Sequence, residues 1–482
     1  MPEKPAAARE YRNPGARAGS TARAGLDRLD GLLGARSWSS LRGGQRRSLA
    51  PAKPSCFQRP GPLHPESERS ECWKRRPRLS TMPSTFAWLD YSESERRRAL
   101  DVIGLFQQRE TRDELGIASV RDAFAKLFSP GTSTIQTRAK YFLLVPWMYL
   151  DFERRSVGGA RIARRARRFE VRLIDGLAGS DDATGVIGIA SRSELQRLPS
   201  NVYWAGLRRW GILLFAGSQP QYHRSLDNFY DKIRRLRDVP KDAEGTQVEP
   251  VNWHPHVPDP PEGFPEGVSL TLSRKEAEYL RERIRSTCQG SLLAQIVELG
   301  KQWEAVDLPW QHPAVERLSP LLVERLEHAR KFSEVMHGAA LLYNLMLAEA
   351  IEREDWIAAY EGAFEEWAAR ARRQEKQWRT WQRDDFWKAV HGPDRRIPVP
   401  TRRFVDTWIA LVTARNDPGP LRDNSEARQL IRHREGQLKG GRARLQSRRH
   451  LELWRGDSGS GQLNFRWTIT QTIALDILRA LG

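Results

Sequence analysis

Seven residues near the C-terminus, 455–461, carry three patterns that are associated with chemistry or binding. The stretch reads RGDSGSG and contains an adhesion tripeptide, the GDSG of a trypsin-like nucleophile loop and the glycine spacing of a phosphate-binding loop. A trypsin-like serine needs a β-barrel host and a histidine oriented by a buried aspartate, whereas this chain has mainly helical patterns. In the phosphate loop, Gln462 and Leu463 replace the required lysine and hydroxyl residues. We therefore expect a tight glycine turn.

The histidine motifs are incomplete as metal sites. Glu334 and His337 form one Glu-x-x-His unit, but a di-iron bundle needs a second unit and two further glutamates. The histidines of residues 254–256 lie in a proline-rich segment with no rigid element to fix them. His433 and Glu435 match the His-x-Glu of zinc deaminases without the paired cysteines of that motif. The sequence therefore predicts no metal site and no cofactor.

One further pattern raises the alternative of a metal-dependent nuclease. Asp423 and the run 437–439, Gln-Leu-Lys, resemble the Asp…Gln-x-Lys motif of restriction-type nucleases. In such enzymes the motif lies on a core strand, so that the carboxylate and the lysine meet at one metal ion and one phosphate. Here the flanking residues are too polar for such a strand. A diverged nuclease stays open as a second function, although the sequence favours a protein that is not an enzyme.

Two arginine-rich segments can bind phosphate without exact geometry. Residues 154–168 contain seven arginines and no acid, and residues 428–449 contain eight Lys or Arg and one acid. Guanidinium groups bind phosphates bidentately and displace condensed counterions, which suits a nucleic-acid backbone. The alternatives are a solvated helix face or pairing with the acid-rich segment 349–366. The predicted nucleic-acid-binding residues are a first cluster, Arg161, Arg164, Arg165 and Arg168, and a second cluster, Arg442, Arg444, Arg448 and Arg449.

Charge and composition set the N-terminal segment apart from the rest of the chain. The 482 residues have a net charge of +19, of which residues 1–81, with 17 Lys or Arg and 7 Asp or Glu, supply +10. This segment contains no Ile and no Val, so we expect a disordered basic leader. We interpret Met82 as the biological start; the rival interpretation is a basic tail that binds nucleic acid.

Cysteine usage and hydropathy indicate a cytoplasmic protein without a membrane partner. Three cysteines occur, and Cys288 is the one that lies outside residues 1–81, so neither a disulfide framework nor a cysteine-based zinc site is expected. The chain begins with no apolar signal segment. Its longest apolar run, residues 141–150, has ten residues, against the roughly 20 that span a bilayer.

Hydrophobic periodicity predicts a mainly α fold with a minor β component and a helical hairpin or bundle core. The clearest pattern is a helix over residues 320–350 followed by a partner helix over 354–387, which together predict an antiparallel hairpin. The predicted domains are a leader (1–81), a mixed α/β-minor domain (82–239), a Pro/Gly-rich linker (240–268), a helical domain (269–399) and a basic C-terminal module (400–482).

Shorter elements are predicted from local signals. Ser273 and Glu276 form a capping box at the start of a helix. Short helices over 193–198 and 201–210, followed by a strand over 212–215, suggest a winged-helix-like segment in the N-terminal domain. The run 141–150 fits either a buried strand or a helix around Pro146. We also expect a short strand over 463–467.

Long phrases of the sequence resemble a known family. "TRDELGIASVRDAFAKLF", "LPSNVYWAGLRRWGI" and "HARKFSEVMHGAALLYNLMLAE" are similar to a bacterial family catalogued as domain of unknown function number 6361, from about Thr85 to the C-terminus. The resemblance implies no catalytic residues, and it associates the chain with anti-phage defence neighbourhoods. We therefore expect a non-catalytic, nucleic-acid-associated subunit of a defence or DNA-processing system. Its partners would be DNA or RNA and proteins of that system; a protein-interaction scaffold is a third possibility.

Overall fold

The computed structural model describes residues 113–180, 182–237, 249–392, 396–414 and 416–482. The predictions for residues 1–81, including a start at Met82, lie outside these ranges. Within them the predicted fold class is confirmed, because the described chain is mainly helical and has almost no β structure. Leu213 and Trp253 form an isolated antiparallel bridge.

The first part of the described chain contains five helices, and the second of these holds the apolar run 141–150. This run is helical and buried, so of the two predicted alternatives the helix is correct. Pro146 lies within the helix. The five helices are α1 (Ala118–Phe128), α2 (Tyr141–Arg154), α3 (Gly159–Ala178), α4 (Pro199–Arg209) and α5 (Gln219–Arg237).

Helices also dominate the second part, where the predicted capping box is confirmed. The side chain of Ser273 accepts from the backbone N–H of Glu276, and the Glu276 carboxylate accepts from the backbone N–H of Ser273 at 2.7 Å. The helices of this part are α6 (Arg274–Thr287), α7 (Leu292–Leu299), α8 (Pro320–Ala350), α9 (Glu354–Arg379), α10 (Arg383–Val390), α11 (Val399–Thr413), α12 (Ser425–Lys439), α13 (Arg448–Leu451) and α14 (Trp467–Leu481).

Helix α8 lies at the centre of this part and packs against α9, α10, α11 and α12. The indole N–H groups of Trp367 and Trp408 donate to the α8 backbone carbonyls of Glu334 and Val335 at 2.8 and 2.9 Å. The predicted hairpin of two long helices is present as α8 and α9. Its second helix ends at Arg379 rather than near residue 387, and α10 follows as a separate helix.

A largely buried ion pair joins the segment before α2 to the last helix. The Arg138 guanidinium donates to both carboxylate oxygens of Asp476 at 3.0 and 2.9 Å, and the backbone N–H of Ala139 donates to the same carboxylate at 2.9 Å. Buried apolar residues from both parts form one continuous cluster. The domain boundaries expected at 239, 268 and 399 stay predictions.

Three predicted short elements differ from the structure, and one of them is the strand over 212–215, where the described chain has a single bridge at Leu213. Residues 463–467 are not a strand, since Phe465 and Arg466 have φ angles of 52° and 66° and form a turn before α14. Phe465 packs edge-on against Phe124 and Phe128, a long-range contact that the local pattern does not contain. The first short helix of the predicted pair is a three-residue 3-10 turn, Arg192–Glu194.

Candidate nucleic-acid interface

Helix α3 is strongly amphipathic, with one buried apolar face and one exposed basic face. Its apolar stripe, which includes Ile162, Phe169 and Leu173, is buried, as predicted from the three-to-four spacing. At its beginning the backbone N–H of Gly159 donates to the carboxylate of Asp227 on α5 at 3.2 Å. This acceptor caps an N-terminus whose N–H groups have no intrahelical partner. The contact therefore fixes α3 against α5.

A buried carboxylate fixes the inner face of α3 against α4. Glu170 accepts from the backbone N–H of Ser200 at 2.6 Å and from the Ser200 hydroxyl at 3.0 Å, so it caps the beginning of α4. The amide of Gln219 donates to the same hydroxyl and to the hydroxyl of Tyr149. Burial raises the pKa of Glu170 to about 7, against the hydrogen bonds from Ser200, which lower it.

The outer face of α3 presents the first predicted cluster to solvent. Arg161, Arg164, Arg165 and Arg168 are all exposed, and none of them has an ion pair with a carboxylate in the described ranges. Arg167 differs, because its guanidinium donates to the carbonyls of residues 193 and 195. The structure therefore brings the four predicted arginines together on one exposed face of the described chain.

One further arginine of this surface was missed from the sequence. Arg172 is exposed one turn after Arg168, and its guanidinium lies 5.8 Å from the ring centre of Phe169. Its i+4 spacing from Arg168 is the signal that would have identified it. We call Arg161, Arg164, Arg165, Arg168 and Arg172 the arginine face. At 1.5 Å per residue it extends for about 16 Å along α3.

The second predicted cluster is divided by the structure. Arg444 lies largely inside the protein, where it contacts Glu114 at 3.1 Å and the Ser458 hydroxyl at 2.5 Å. Arg448 is exposed, and it pairs with Glu452 at 3.3 Å. Arg449 and Arg442 are exposed, and Arg442 has a further interaction of its own. Arg444 is thus occupied by the protein itself, and the outward residues of this cluster are on a short helix and a turn.

Three of the four other cations of residues 428–449 are also used internally, and the fourth, Arg432, is exposed. Arg428 donates to both carboxylate oxygens of Glu349 at 2.6 Å. Glu349 lies in the acid-rich segment 349–366, which was predicted as a possible partner. Arg434 is buried and donates to the carbonyls of Leu115 and Gly116. Lys439 pairs with Glu114. This segment therefore ties α12 to α8 and to the beginning of the described chain.

The glycine-rich heptad is a turn, as predicted. Gly456 and Gly459 have φ angles of 91° and 64°, which favour glycine. Asn344 on α8 accepts from the backbone N–H of Ser458 at 2.8 Å, and the hydroxyl of Tyr360 donates to the carbonyl of Gly456 at 2.6 Å. Ser458, the serine of the GDSG pattern, accepts a hydrogen bond from a guanidinium group. Its surroundings are those of an anchored loop.

The residues of the nuclease pattern are not brought together. Asp423 lies just before α12 and Lys439 is the last residue of that helix, so the helix separates them by about 20 Å. Asp423 is exposed and pairs with Arg422 at 3.3 Å. Gln437 lies on the helix and hydrogen-bonds to His433 at 2.8 Å. A shared metal ion would require these side chains to converge.

The histidine motifs that were considered as metal sites lie apart from one another. His433 is exposed on α12, whereas Glu334 and His337 line a cleft beside α8. In the part of the chain that the structure describes, no group of three or more His, Cys, Asp or Glu residues is placed to hold a metal ion. None of the described helices combines the length and the apolar character that crossing a bilayer requires.

The predicted winged-helix-like segment contains one full helix, α4. Tyr203, Leu207 and Trp210 are buried, as expected for residues that pack inward. Arg208 and Arg209 are exposed, and Arg209 donates to the carbonyl of Thr287 at 2.8 Å. The winged-helix interpretation of this segment stays a prediction.

The described chain thus defines a helical protein with a free arginine face and a cleft beside its central helix. The sequence belongs to the family described as "Family of unknown function (DUF6361)", whose model matches residues 83–479. This match confirms the resemblance seen in the sequence. No curated protein and no solved structure matches the chain.

Proposed function

We propose that this protein is a non-catalytic nucleic-acid-binding subunit of a bacterial defence or DNA-processing system that acts in the cytoplasm. The observation that supports this function is the arginine face on α3. Five exposed guanidinium groups share one side of a helix whose other side is anchored in the core. Their charge is not neutralised by described carboxylates, so it is available to a polyanion.

Arginine side chains on a rigid helix suit phosphate binding for two reasons. The planar guanidinium donates two parallel hydrogen bonds to one phosphate. Each phosphate that is neutralised also releases condensed counterions, which makes the affinity depend steeply on salt. We expect binding that is independent of base sequence, because the face offers groups for the backbone rather than for base edges.

Binding to a fluorescent 30-base-pair duplex tests the function. Reversing two charges with R164E/R168E should weaken the affinity by about tenfold or more at low salt, since repulsion replaces two phosphate contacts. The matched control is K275E/K376E, which changes the net charge equally at two exposed lysines of α6 and α9. Equal loss in both variants, or no binding by the parent protein, would refute the proposal.

The two alternatives from the sequence receive less support. The scaffold hypothesis relied on the long helices to dock a partner, but most apolar residues of α8 are buried inside the protein. The nuclease hypothesis relied on Asp423 and Lys439, which lie at opposite ends of α12. Metal-dependent DNA degradation that is lost in D423A would revive the nuclease hypothesis.

A further inference from the structure

The arginine face has two borders, and segments of different charge lie along them. Phe169 marks one border, because it lies one helical turn from Arg165 and from Arg172. Arg167 marks the other border, since residues two apart on a helix point about 200° away from each other. A segment rich in proline and acid packs at the first border, and the turn 191–197 packs at the second.

The segment at the first border, residues 258–267, is anchored beside α3, and we call it the acidic strap. The ring centre of Phe264 lies 5.3 Å from that of Phe169 and 5.4 Å from that of Trp147. The Trp147 indole N–H also donates to the carbonyl of Pro258 at 2.6 Å. The acidic strap is therefore held at Pro258 and at Phe264, along one side of the arginine face.

The acidic strap carries negative charge that the described chain does not neutralise. It contains three exposed acids and no Lys or Arg. Asp259 approaches Arg154 only to 3.8 Å. Glu262 and Glu266, each two residues from Phe264, have no ion pair within the described ranges. Because charges act over about 10 Å at 0.1 M salt, these carboxylates repel a phosphate at this border.

The second border carries cations instead. The guanidinium of Arg167 donates to two carbonyls of the turn 191–197 at 2.5 and 3.1 Å, and neutral acceptors leave its positive charge in place. Arg197 is exposed and has no ion pair with a described carboxylate. Arg192 is neutralised, because it pairs with Asp175 at 2.5 Å. Two available cations therefore outweigh the single unpaired acid of this turn, which is Glu194.

Aromatic side chains at this surface are turned to the core rather than to solvent. Phe169 and Phe264 are the aromatic residues of α3, the turn 191–197 and the acidic strap. Phe169 is buried, and Phe264 is half-buried against it. Proteins that hold single strands stack the bases on exposed aromatic rings. This surface instead offers charge alone, which suits the phosphate backbones of a duplex.

Building on the proposed function, we propose that a nucleic-acid duplex lies across α3 towards the turn 191–197, with the acidic strap as its boundary. Its phosphates contact Arg167 and Arg197 in addition to the arginine face. The acidic strap keeps the duplex from the opposite side of α3. Opposite charges on the two borders thus determine the direction in which the duplex leaves the helix.

Photocrosslinking in the full chain locates the duplex without changing the charge of the protein. The photoreactive residue p-benzoylphenylalanine replaces either Gln196 in the turn or Pro261 in the acidic strap, both of which are exposed. A 30-base-pair duplex should crosslink at least about threefold more efficiently from position 196, because that border attracts phosphate. Equal crosslinking from both positions, or more from position 261, overturns the boundary.

Neutralising the acidic strap tests the boundary by affinity. E262Q/E266Q should tighten duplex binding by about threefold or more at 0.1 M salt, because two carboxylates no longer repel the phosphates. The matched control is E304Q/E316Q, which changes the net charge equally at two exposed acids outside the acidic strap. R197E should weaken binding by about threefold or more. An equal effect of E262Q/E266Q and the control, or unchanged affinity in R197E, overturns the proposal.

A single strand of the same length tests the choice of a duplex. The duplex should bind more tightly, and tighter binding of the single strand would overturn the proposal. The failure of the boundary is distinguishable from that of the proposed function. If R164E/R168E weakens DNA binding but the strap variant behaves like its control, the boundary alone fails; if the parent protein binds no nucleic acid, the proposed function fails with it. All substituted residues are exposed, and circular dichroism checks that each variant is folded.

Discussion

The indole ring of Trp367 lies directly against Gly338, so that a Cβ atom at Gly338 would fall 2.5 Å from two of its ring carbons. This contact sets the approach of α8 and α9, the two longest helices within the described ranges. Because a methyl group would force them apart, G338A should lower the free energy of unfolding by about 1–3 kcal/mol. Chemical denaturation measures this change.

Gly362 supplies the matched control for that prediction. It lies within α9, and a Cβ atom there would meet nothing within 4 Å. G362A should therefore stabilise the protein by about 0.5–1 kcal/mol through helix propensity. A G338A protein as stable as G362A would show that the two helices do not pack as described.

The buried carboxylate of Glu170 should make stability depend on pH. Its pKa is raised from 4.5 to about 7 in the folded protein, so between these values the folded state holds a proton that the unfolded state releases. The folded state therefore loses stability as pH rises through this window. In E170Q this loss should be absent. The difference in unfolding free energy between E170Q and the parent should grow by an amount on the order of 3 kcal/mol from pH 4.5 to pH 7.

Comparing the two proteins at each pH removes the contributions of other groups. His312 titrates in the opposite sense, because burial lowers its pKa to about 4, but it is present in both proteins. A difference that stays constant across the window would show that Glu170 is not buried as described.

Arg444 and Arg449 should respond differently to substitution. R444A removes a partner of the buried Glu114 carboxylate and of Ser458, and we expect a loss of about 1–3 kcal/mol in stability. R449A removes an exposed side chain and should change stability by less than about 0.5 kcal/mol. Thermal unfolding checks both. A stable R444A protein with reduced DNA affinity would instead return Arg444 to the binding surface.

Periodic features of the fold could be predicted from the sequence alone. The bounds of α8, the capping box at Ser273 and the buried stripe of α3 follow from three-to-four spacing and local hydrogen bonding. The arginine face was predictable for the same reason, since charge on one side of a helix needs no distant partner. Arg172, which was missed, lies four residues after Arg168 and extends the arginine face by one turn.

Long-range pairings could not be predicted in this way. Arg444 meets Glu114, 330 residues earlier in the chain, and this contact removes the arginine from the surface. The turn at Phe465 likewise depends on rings from α1. Local sequence at 463–467 alternates as in a strand, but the described residues there have no neighbouring strand to pair with. The cleft needs side chains from four separate segments, which are 308–311, α8, α9 and the segment at Gln462, and no single motif contains them.

The salt dependence of DNA binding tests the central claim most directly. The logarithm of the dissociation constant should rise with the logarithm of salt concentration with a slope of about 4–5, if each residue of the arginine face neutralises one phosphate. In R161Q/R164Q/R165Q/R168Q the slope should fall to about 1. An unchanged slope in this variant would contradict the assignment of α3 as the nucleic-acid surface.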